Sequence, residues 1–268
     1  MAATLAAYRW EVRKLIAQNR TYLGIAIAVV GPIVYLLLAI AQGYPTAPLA
    51  DNFGHTGVAF SLVVFKLIVV IGPAIIASLV AGDIVAAEDA SGTLKTILTR
   101  SVRRGQMLAA KTMALYTYLA TAMLVFFVVA TVAGVIAWGF HPVINISGHR
   151  LSALHALLLG VASVCLYLLP VCALASFGLF LSVVTRQSVA AVGGTLLYAM
   201  SLQGLGAIAG IRAAHPYLLT NQLTAWHGLF QTPITGAPIV RALWVSAAFA
   251  LPPMIAAWIV FTRRDVTT

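Results

Sequence analysis

Acidic side chains are scarce in this 268-residue sequence, which has six Asp and Glu against 16 Lys and Arg. Charged residues of both signs make up only 8% of the chain, whereas soluble domains carry roughly 25%. Hydrophobic residues make up 62%, and the mean hydropathy is +1.00. The shortage of charge excludes an ordinary soluble domain and indicates an integral membrane protein.

Motifs for chemistry on the chain itself are also lacking. The two cysteines, Cys165 and Cys172, lie two turns apart on a predicted helix, about 10 Å by helical rise, which is too far for a disulfide. No G-x-x-x-x-G-K-[ST], H-E-x-x-H or C-x-x-C pattern occurs. The six histidines do not have the usual metal-ligand spacing. We therefore expect no catalytic residue, cofactor site or metal site on this chain.

Long runs without charge predict six membrane-spanning helices. A helix needs about 20 apolar residues to cross a bilayer, and helices satisfy every backbone polar group in lipid. The predicted fold class is therefore all-α and polytopic, with one domain over residues 1–268. The predicted spans cover residues 21–42, 57–82, 108–138, 152–184, 187–210 and 240–262.

The distribution of Lys and Arg predicts the orientation. With the N-terminus in the cytoplasm, twelve basic residues fall in inside segments and three fall outside, at Arg150, Arg212 and Arg241. Because cytoplasmic loops are enriched in Lys and Arg, both termini are predicted to be cytoplasmic. This asymmetry and anionic membrane lipid account for the net charge of +10, so no nucleic acid partner is expected.

Residues 1–20 are predicted to form a cytoplasmic amphipathic helix. Its apolar residues, Leu5, Trp10 and Ile16, are placed to enter the membrane interface. Its basic residues are expected to face lipid head groups, and they are Arg9, Arg13 and Lys14. A contact with a partner protein is the alternative role for the same helix.

Residues 83–106 concentrate charge between the second and third predicted spans. Leu94, Ile97 and Leu98 recur at i, i+3 and i+4 and form one apolar helix face. Lys95, Arg100, Arg103 and Arg104 mark its other side and its exit. From the residues alone, a basic loop whose helix lies on the lipid surface is the simplest interpretation.

The same segment resembles the cytoplasmic loop of ABC-2 type transporter permeases, the membrane subunits of one class of ATP-driven exporter. The resemblance covers essentially the whole chain and includes the six spans. It also implies that residues 1–20 form an elbow helix that lies along the membrane. It departs from the family at Ser101, where proline is frequent. The loop residues that carry the resemblance are Glu88, Gly92, Thr93, Leu94, Lys95, Ile97, Leu98 and Arg103, with Lys111 opening the third span.

The resemblance implies a function and a set of partners. The loop would form a coupling helix that docks into a groove on a separate ATPase subunit, which suits an apolar face flanked by basic residues. Two ATPase chains, which would hold ATP and Mg, and a second permease chain, identical or homologous, would complete the exporter. Its location would be a bacterial cell membrane, and its substrate an amphiphile such as a drug, lipid or peptide antibiotic.

Polar residues inside the spans are candidates for the substrate path. Lys66 lies in the second predicted span with no acid in any predicted span to pair with it, and intramembrane charges are often functional. Tyr198, Ser201 and Gln203 add polar groups to the fifth. The alternatives are that Lys66 snorkels towards the interface and that the others form hydrogen bonds between helices.

Residues 211–239 are predicted to form an external loop that contains an amphipathic helix. Its apolar face recurs at i, i+4, i+7 and i+11 and includes a predicted interfacial Trp. The resemblance implies a re-entrant helix that gates the exit, and a purely structural interfacial helix is the alternative. The face comprises Leu219, Leu223, Trp226 and Phe230, with polar residues at Thr220, Asn221, Gln222, Thr224 and His227.

Two other classes remain open at this point. A secondary transporter would need an ion-coupling acid in a span, and no predicted span contains one. A membrane-embedded enzyme would need a convergent polar site, and Asp83, Glu88 and Asp89 form the only acidic cluster.

Overall fold

The computed structural model describes residues 2–42, 56–68, 72–92, 103–208 and 214–263. Helices dominate this part of the chain because its apolar runs leave backbone groups no other partner in lipid. The described helices are α1 (Ala2–Ala17), α2 (Asn19–Gln42), α3 (Gly57–Ile68), α4 (Gly72–Asp83), α5 (Ala86–Ala90), α6 (Arg104–Trp138), α7 (Ala153–Thr185), α8 (Ser188–Ala207), α9 (Leu219–Gln222) and α10 (Gly236–Arg263).

Five of these helices, α2, α6, α7, α8 and α10, are long and apolar enough to cross a membrane. The all-α, multi-span class is therefore confirmed. The second predicted span, 57–82, corresponds to α3 and α4, and residues 69–71 between them lie outside the described residues. Each of these two helices has 12 residues, about 18 Å of helix, which is shorter than a hydrocarbon core of about 30 Å.

Helix α3 forms the centre of the core. Its residues from Gly57 to Phe65 are all buried. The Phe65 ring stacks on Tyr167 of α7 at 4.8 Å between centroids and meets Phe126 of α6 edge-on at 4.9 Å. These helices bury α3 on several sides, which explains why hydrophobic residues occupy all of its faces and not one face alone.

Glycine allows α3 and α6 to approach each other closely. A Cβ added at Gly134 would lie 2.5 Å from the carbonyl oxygen of Gly57, and a Cβ at Gly57 would lie 2.4 Å from the backbone of Val135. A gap this small has no room for a methyl group on either helix. Both positions therefore fix the distance between the two helix axes.

The end of the bundle where α3, α7 and α10 begin is called here the loop end. It contains two short antiparallel strands, β1 (Val143–Ile144) and β2 (Arg150–Leu151). The turn between them is tied to the segment before α10. The Ile146 amide donates to the Phe230 carbonyl at 3.2 Å, and the Asn145 side-chain amide donates to the Thr232 hydroxyl at 2.7 Å.

The predicted amphipathic helix across residues 219–230 is wrong in two respects. It is broken into the short α9 and a 3-10 helix, Ala225–Phe230. Its apolar face also packs into the protein rather than into the interface, since Trp226 and Phe230 are fully buried. Gln222, predicted on the polar face, is buried too and donates to the Pro216 and Leu218 carbonyls at 2.8 and 2.9 Å. Tertiary packing thus overrides the helical period of the sequence.

Candidate functional site: a ring of buried charges

Four charged side chains from three helices meet at the end of the bundle opposite the loop end. Glu11 and Lys14 are one turn apart on α1, Glu88 belongs to α5, and Lys111 lies two turns into α6. We call these four residues the charge ring and this end of the bundle the charged end. The spacing on α1 points both of its side chains in one direction, because residues three apart share a helix face.

The two lysines and two glutamates alternate around the ring. Lys111 Nζ lies 2.9 Å from Glu11 Oε1 and 2.6 Å from Glu88 Oε2. Lys14 Nζ lies 2.6 Å from Glu11 Oε2 and also pairs with Glu88 Oε1. Each carboxylate therefore bridges both ammonium groups, and the ring has no net charge.

Lys111 is held inside the protein by three oxygen atoms. Its side chain is fully buried. Besides the ion pairs with the two carboxylates, its Nζ donates to the Ile84 carbonyl at 3.1 Å. A lysine ammonium has three N–H donors, and these three oxygens all lie within 3.1 Å of it. This arrangement offsets much of the cost of removing the charge from water.

Lys14 forms the more open side of the ring. Burial lowers the pKa of the Lys14 ammonium, but the neighbouring carboxylates of Glu11 and Glu88 raise it by more, so the net direction is upward. Lys14 therefore stays charged at neutral pH. The prediction that Lys14 faces lipid head groups is wrong, because its ammonium is turned inward to the ring. Leu5 and Trp10 on the same helix are exposed, as an interfacial helix requires.

Two further ion pairs secure the same end of the bundle. Arg20, at the start of α2, pairs with Asp83 at the end of α4. Arg186, which follows α7, lies 3.8 Å from Asp89 of α5. Ser182 of α7 also accepts the backbone amide of Ala86 at 2.9 Å, at the start of α5. The four acids within the described residues are thus all paired, and all lie at the charged end.

These contacts lie in the predicted coupling segment, 83–106, on both sides of residues 93–102. Before residues 93–102, α5 ends at Ala90, and Gly92 has a positive φ of 70°, which suits glycine. After them, Arg103 caps α6 by donating its amide to the Gln106 side chain at 3.3 Å. The Arg104 guanidinium donates to the Thr262 carbonyl of α10 at 3.3 Å. The remaining predicted coupling residues, Thr93, Leu94, Lys95, Ile97 and Leu98, lie outside the described residues.

The predicted substrate-path residues separate in the structure. Gln203 lines a cavity of about 40 Å³ between α4, α7, α8 and α9, and two of the predicted gate residues, Leu219 and Leu223, line the same cavity. Tyr198 stacks on Phe177 at 3.9 Å. Ser201 is exposed on the surface, and its hydroxyl donates to the Leu197 carbonyl at 2.8 Å. The Lys66 side chain lies outside the described part of the chain.

The other two gate residues belong to the core of the loop end. Trp226 packs against Tyr167 of α7 at 6.4 Å and meets Phe230 edge-on at 5.7 Å. They connect the segment before α10 to the aromatic cluster around α3. The structure thus brings Gln203, Leu219 and Leu223 to one cavity and places Trp226 and Phe230 in the aromatic cluster around α3.

A family model described as "Protein of unknown function (DUF2705)" matches residues 25–267. The chain belongs to this DUF2705 family. None of the curated proteins matches it. Within this DUF2705 chain, Glu88 and Lys111 fall inside the matched region, whereas Glu11 and Lys14 precede it on α1. The matched part alone would therefore hold two of the four ring charges.

Sequence reasoning missed the charge ring. Lys111 was predicted only as the opening residue of the third span, and Glu11 was given no role. One local signal exists: Glu11 is the single acid in a basic amphipathic helix and stands three residues before Lys14. That spacing predicts a pair within α1. It does not indicate that residues 77 and 100 positions further along complete the ring, and within the described residues no group suited to a metal ion is present.

Proposed function

We propose that this DUF2705 protein is the membrane-spanning subunit of an ATP-driven exporter. ATP and Mg would bind to a separate ATPase subunit present in two copies, and a second permease chain, identical or homologous, would complete the pathway. The protein would reside in a bacterial cell membrane and move an amphiphilic substrate such as a drug, lipid or peptide antibiotic. The support comes from the ABC-2 resemblance and from the arrangement of the charged end.

The proposed topology has six crossings, with α3 and α4 together making the second. The two ends of the bundle support this path. The segments around residues 18, 85, 103, 186 and 263 share contacts at the charged end, and those around 57, 139, 152 and 236 lie at the loop end. The described part of the chain would then begin and finish on one side of the membrane. The excess of Lys and Arg at that side supports a cytoplasmic location for it.

The charge ring is the observation that carries the proposal. An ATPase can drive transport only if its movement reaches the spans, and a rigid joint transmits displacement better than a flexible loop. The ring joins three helices where the chain enters residues 93–102, which hold the apolar face of the predicted coupling segment. Its ion pairs connect α5, in the first part of that segment, to the elbow helix α1 and to the third span α6. A displacement of residues 93–102 by the ATPase would therefore move α1, α5 and α6 together.

The placement of the acids favours ATP over an ion gradient as the energy source. Ion-coupled transporters use acids within their spans. The four acids in the described residues are instead neutralised in ion pairs at the charged end. An ion would have to displace a lysine or arginine to bind there.

The small cavity beside Gln203 is a candidate for the exit path of the substrate. At about 40 Å³ it has room for little more than one water molecule. Its walls include Pro73 and Pro170, and proline loosens the hydrogen bonding of the helix around it. We propose that this cavity is the closed state of the exit path and that α9 must move for cargo to pass.

A substitution in the coupling segment tests the proposal. Leu98→Asp places a carboxylate where an apolar side chain would enter the ATPase groove, at a cost of several kcal/mol of docking energy. We expect purification of the tagged protein from its native membrane to retain a P-loop ATPase for the wild type and to lose it for Leu98→Asp. Leu98→Met, which keeps apolar volume, is the matched control and should retain the ATPase.

Equal levels of each variant in the membrane establish that insertion is intact. A wild-type protein that brings down no P-loop ATPase would contradict the proposed function. Equal retention by Leu98→Asp would contradict the role of this segment.

A further inference from the structure

A polar pocket opens at the loop end, far from the charge ring. It has a volume of about 360 Å³ and lies between the segment 215–231 and the first turns of α10. Its wall is formed by short helical segments, so several side chains converge on it from different directions. The polar side chains on which the argument rests are His215, Gln231 and Arg241.

The pocket has positive charge and no described acid to balance it. Arg241 is half-buried and has no ion pair within residues 2–42, 56–68, 72–92, 103–208 and 214–263. Every described acid lies at the other end of the bundle, in an ion pair. A guanidinium that is partly removed from water and unbalanced by carboxylate favours an anion.

Two side chains of the pocket besides Arg241 can donate hydrogen bonds to a ligand. The Gln231 side-chain oxygen accepts from the Thr235 hydroxyl at 2.5 Å, which leaves its NH₂ group for another acceptor. His215 Nε2 is buried and has no hydrogen-bond partner in the described part of the chain, and an imidazole N–H can donate to an anion even when the ring is neutral. Together with the N–H donors of the Arg241 guanidinium, these groups suit an oxyanion that has several acceptor oxygens.

Exposed residues that neighbour the pocket lining in the sequence indicate where that anion comes from. Tyr217 and Trp244 are each about half exposed and pack together at 5.6 Å between ring centroids. Val240 and Leu243 beside them are also exposed. Aromatic pairs of this kind sit at the level of lipid head groups, and the aliphatic surface next to them suits acyl chains. Arg241 is one helical turn from Trp244 and therefore lies at phosphate depth.

We propose that this pocket binds a phosphate ester, delivered as the head group of an anionic phospholipid. Arg241 would hold the phosphate, and Gln231 and His215 would donate hydrogen bonds to its oxygens. The lipid tails would lie along Val240 and Leu243. The planar guanidinium of arginine suits bidentate binding of phosphate. The inference requires only that the protein is embedded in a membrane and does not rest on ATP-driven export.

Native mass spectrometry of the detergent-solubilised full chain tests the site. The probe is phosphatidylglycerol titrated into the sample, with phosphatidylcholine as the reference lipid. We expect Arg241→Gln to weaken phosphatidylglycerol binding by about tenfold or more, the effect of losing a hydrogen bond to a charged group. Arg150→Gln, which removes an exposed arginine at the same end, is the matched control and should leave binding unchanged.

A second variant and a second probe complete the test. Gln231→Leu removes the amide at similar volume, so it should also weaken binding if Arg241→Gln fails to fold. Glycerol 3-phosphate separates the two sources of the same chemistry. Binding of glycerol 3-phosphate that depends on Arg241, without Arg241-dependent lipid binding, would support the phosphate site and replace the lipid by a soluble ester. Binding of both probes that is indifferent to Arg241 and Gln231 would overturn the proposal.

Discussion

At the scale of single residues, the charge ring shows how a chain with few charges can bury four of them. Burying an isolated ion costs a large desolvation free energy. A buried ion pair stabilises a protein by about as much as apolar side chains of the same volume would. In the ring each charge has two opposite neighbours, and Lys111 also has a backbone acceptor. The ring therefore depends on all of its members, so loss of one leaves the others uncompensated.

Lys111→Met tests this dependence. Methionine keeps much of the side-chain volume but leaves two carboxylates facing one ammonium. We therefore expect the free energy of unfolding to fall by about 3–5 kcal/mol. Unfolding in mixed detergent micelles, with increasing denaturing detergent, measures the change. Arg9→Met, at an exposed position on α1, is the control and should stay within about 0.5 kcal/mol.

A double variant separates charge balance from packing. Glu11→Gln combined with Lys111→Met leaves one lysine and one glutamate, so its effect should be smaller than the sum of the two single changes. Additive effects, or a change of under about 1 kcal/mol in Lys111→Met, would show that the ring contributes little.

At the scale of helices, the sequence predicts what depends on hydropathy and misses what depends on distant contacts. The long spans lie within a few residues of their predicted bounds because an apolar run in lipid has one stable backbone solution. Residues 219–230 were mispredicted because the same apolar spacing suits a membrane surface or a protein core. The ring was missed because Glu11 and Lys111 are 100 positions apart, and periodicity carries no information on such pairs.

The contact between α3 and α6 gives a prediction at this scale. A methyl group at Gly134 would meet the Gly57 carbonyl and Phe60 of α3, so Gly134→Ala must push the helices apart or unpack the core. We expect the free energy of unfolding to fall by about 1–3 kcal/mol. Gly204→Ala is the matched control, because a Cβ there meets nothing within 4 Å and alanine favours a helix by about 0.5–1 kcal/mol.

The same micelle unfolding assay distinguishes the two glycines. Gly134→Ala should be less stable than the wild type, whereas Gly204→Ala should be as stable as the wild type or more stable. Equal stability of both variants would mean that the α3–α6 contact is looser than the structure indicates.

At the scale of the whole molecule, charge is divided between the two ends of the bundle. The charged end holds the ring and most of the described basic residues, and the loop end holds Arg150 and Arg241. This asymmetry underlies the proposed orientation. It also separates the two proposed activities, since a partner ATPase would act at the charged end and a lipid head group would bind at the loop end.

Labelling of single cysteines tests the orientation. In a Cys165→Ala, Cys172→Ala background, Thr224→Cys marks the loop end and Arg9→Cys marks the charged end, and both positions are exposed. We expect a membrane-impermeant maleimide to label Thr224→Cys in intact cells. Arg9→Cys should be labelled only after permeabilisation. The reverse pattern would invert the protein and place the coupling segment outside the cell.

Photo-cross-linking from position 98 tests whether the coupling segment contacts an ATPase. With Leu98 replaced by p-benzoylphenylalanine in the full chain, illumination of native membranes captures whatever touches the coupling segment. We expect a cross-linked product that contains a P-loop ATPase. The same photo-reactive residue at Ile136, an exposed position on α6, should give no such product. Cross-links from position 98 to lipid alone, in cells that express the protein at normal levels, would contradict this expectation.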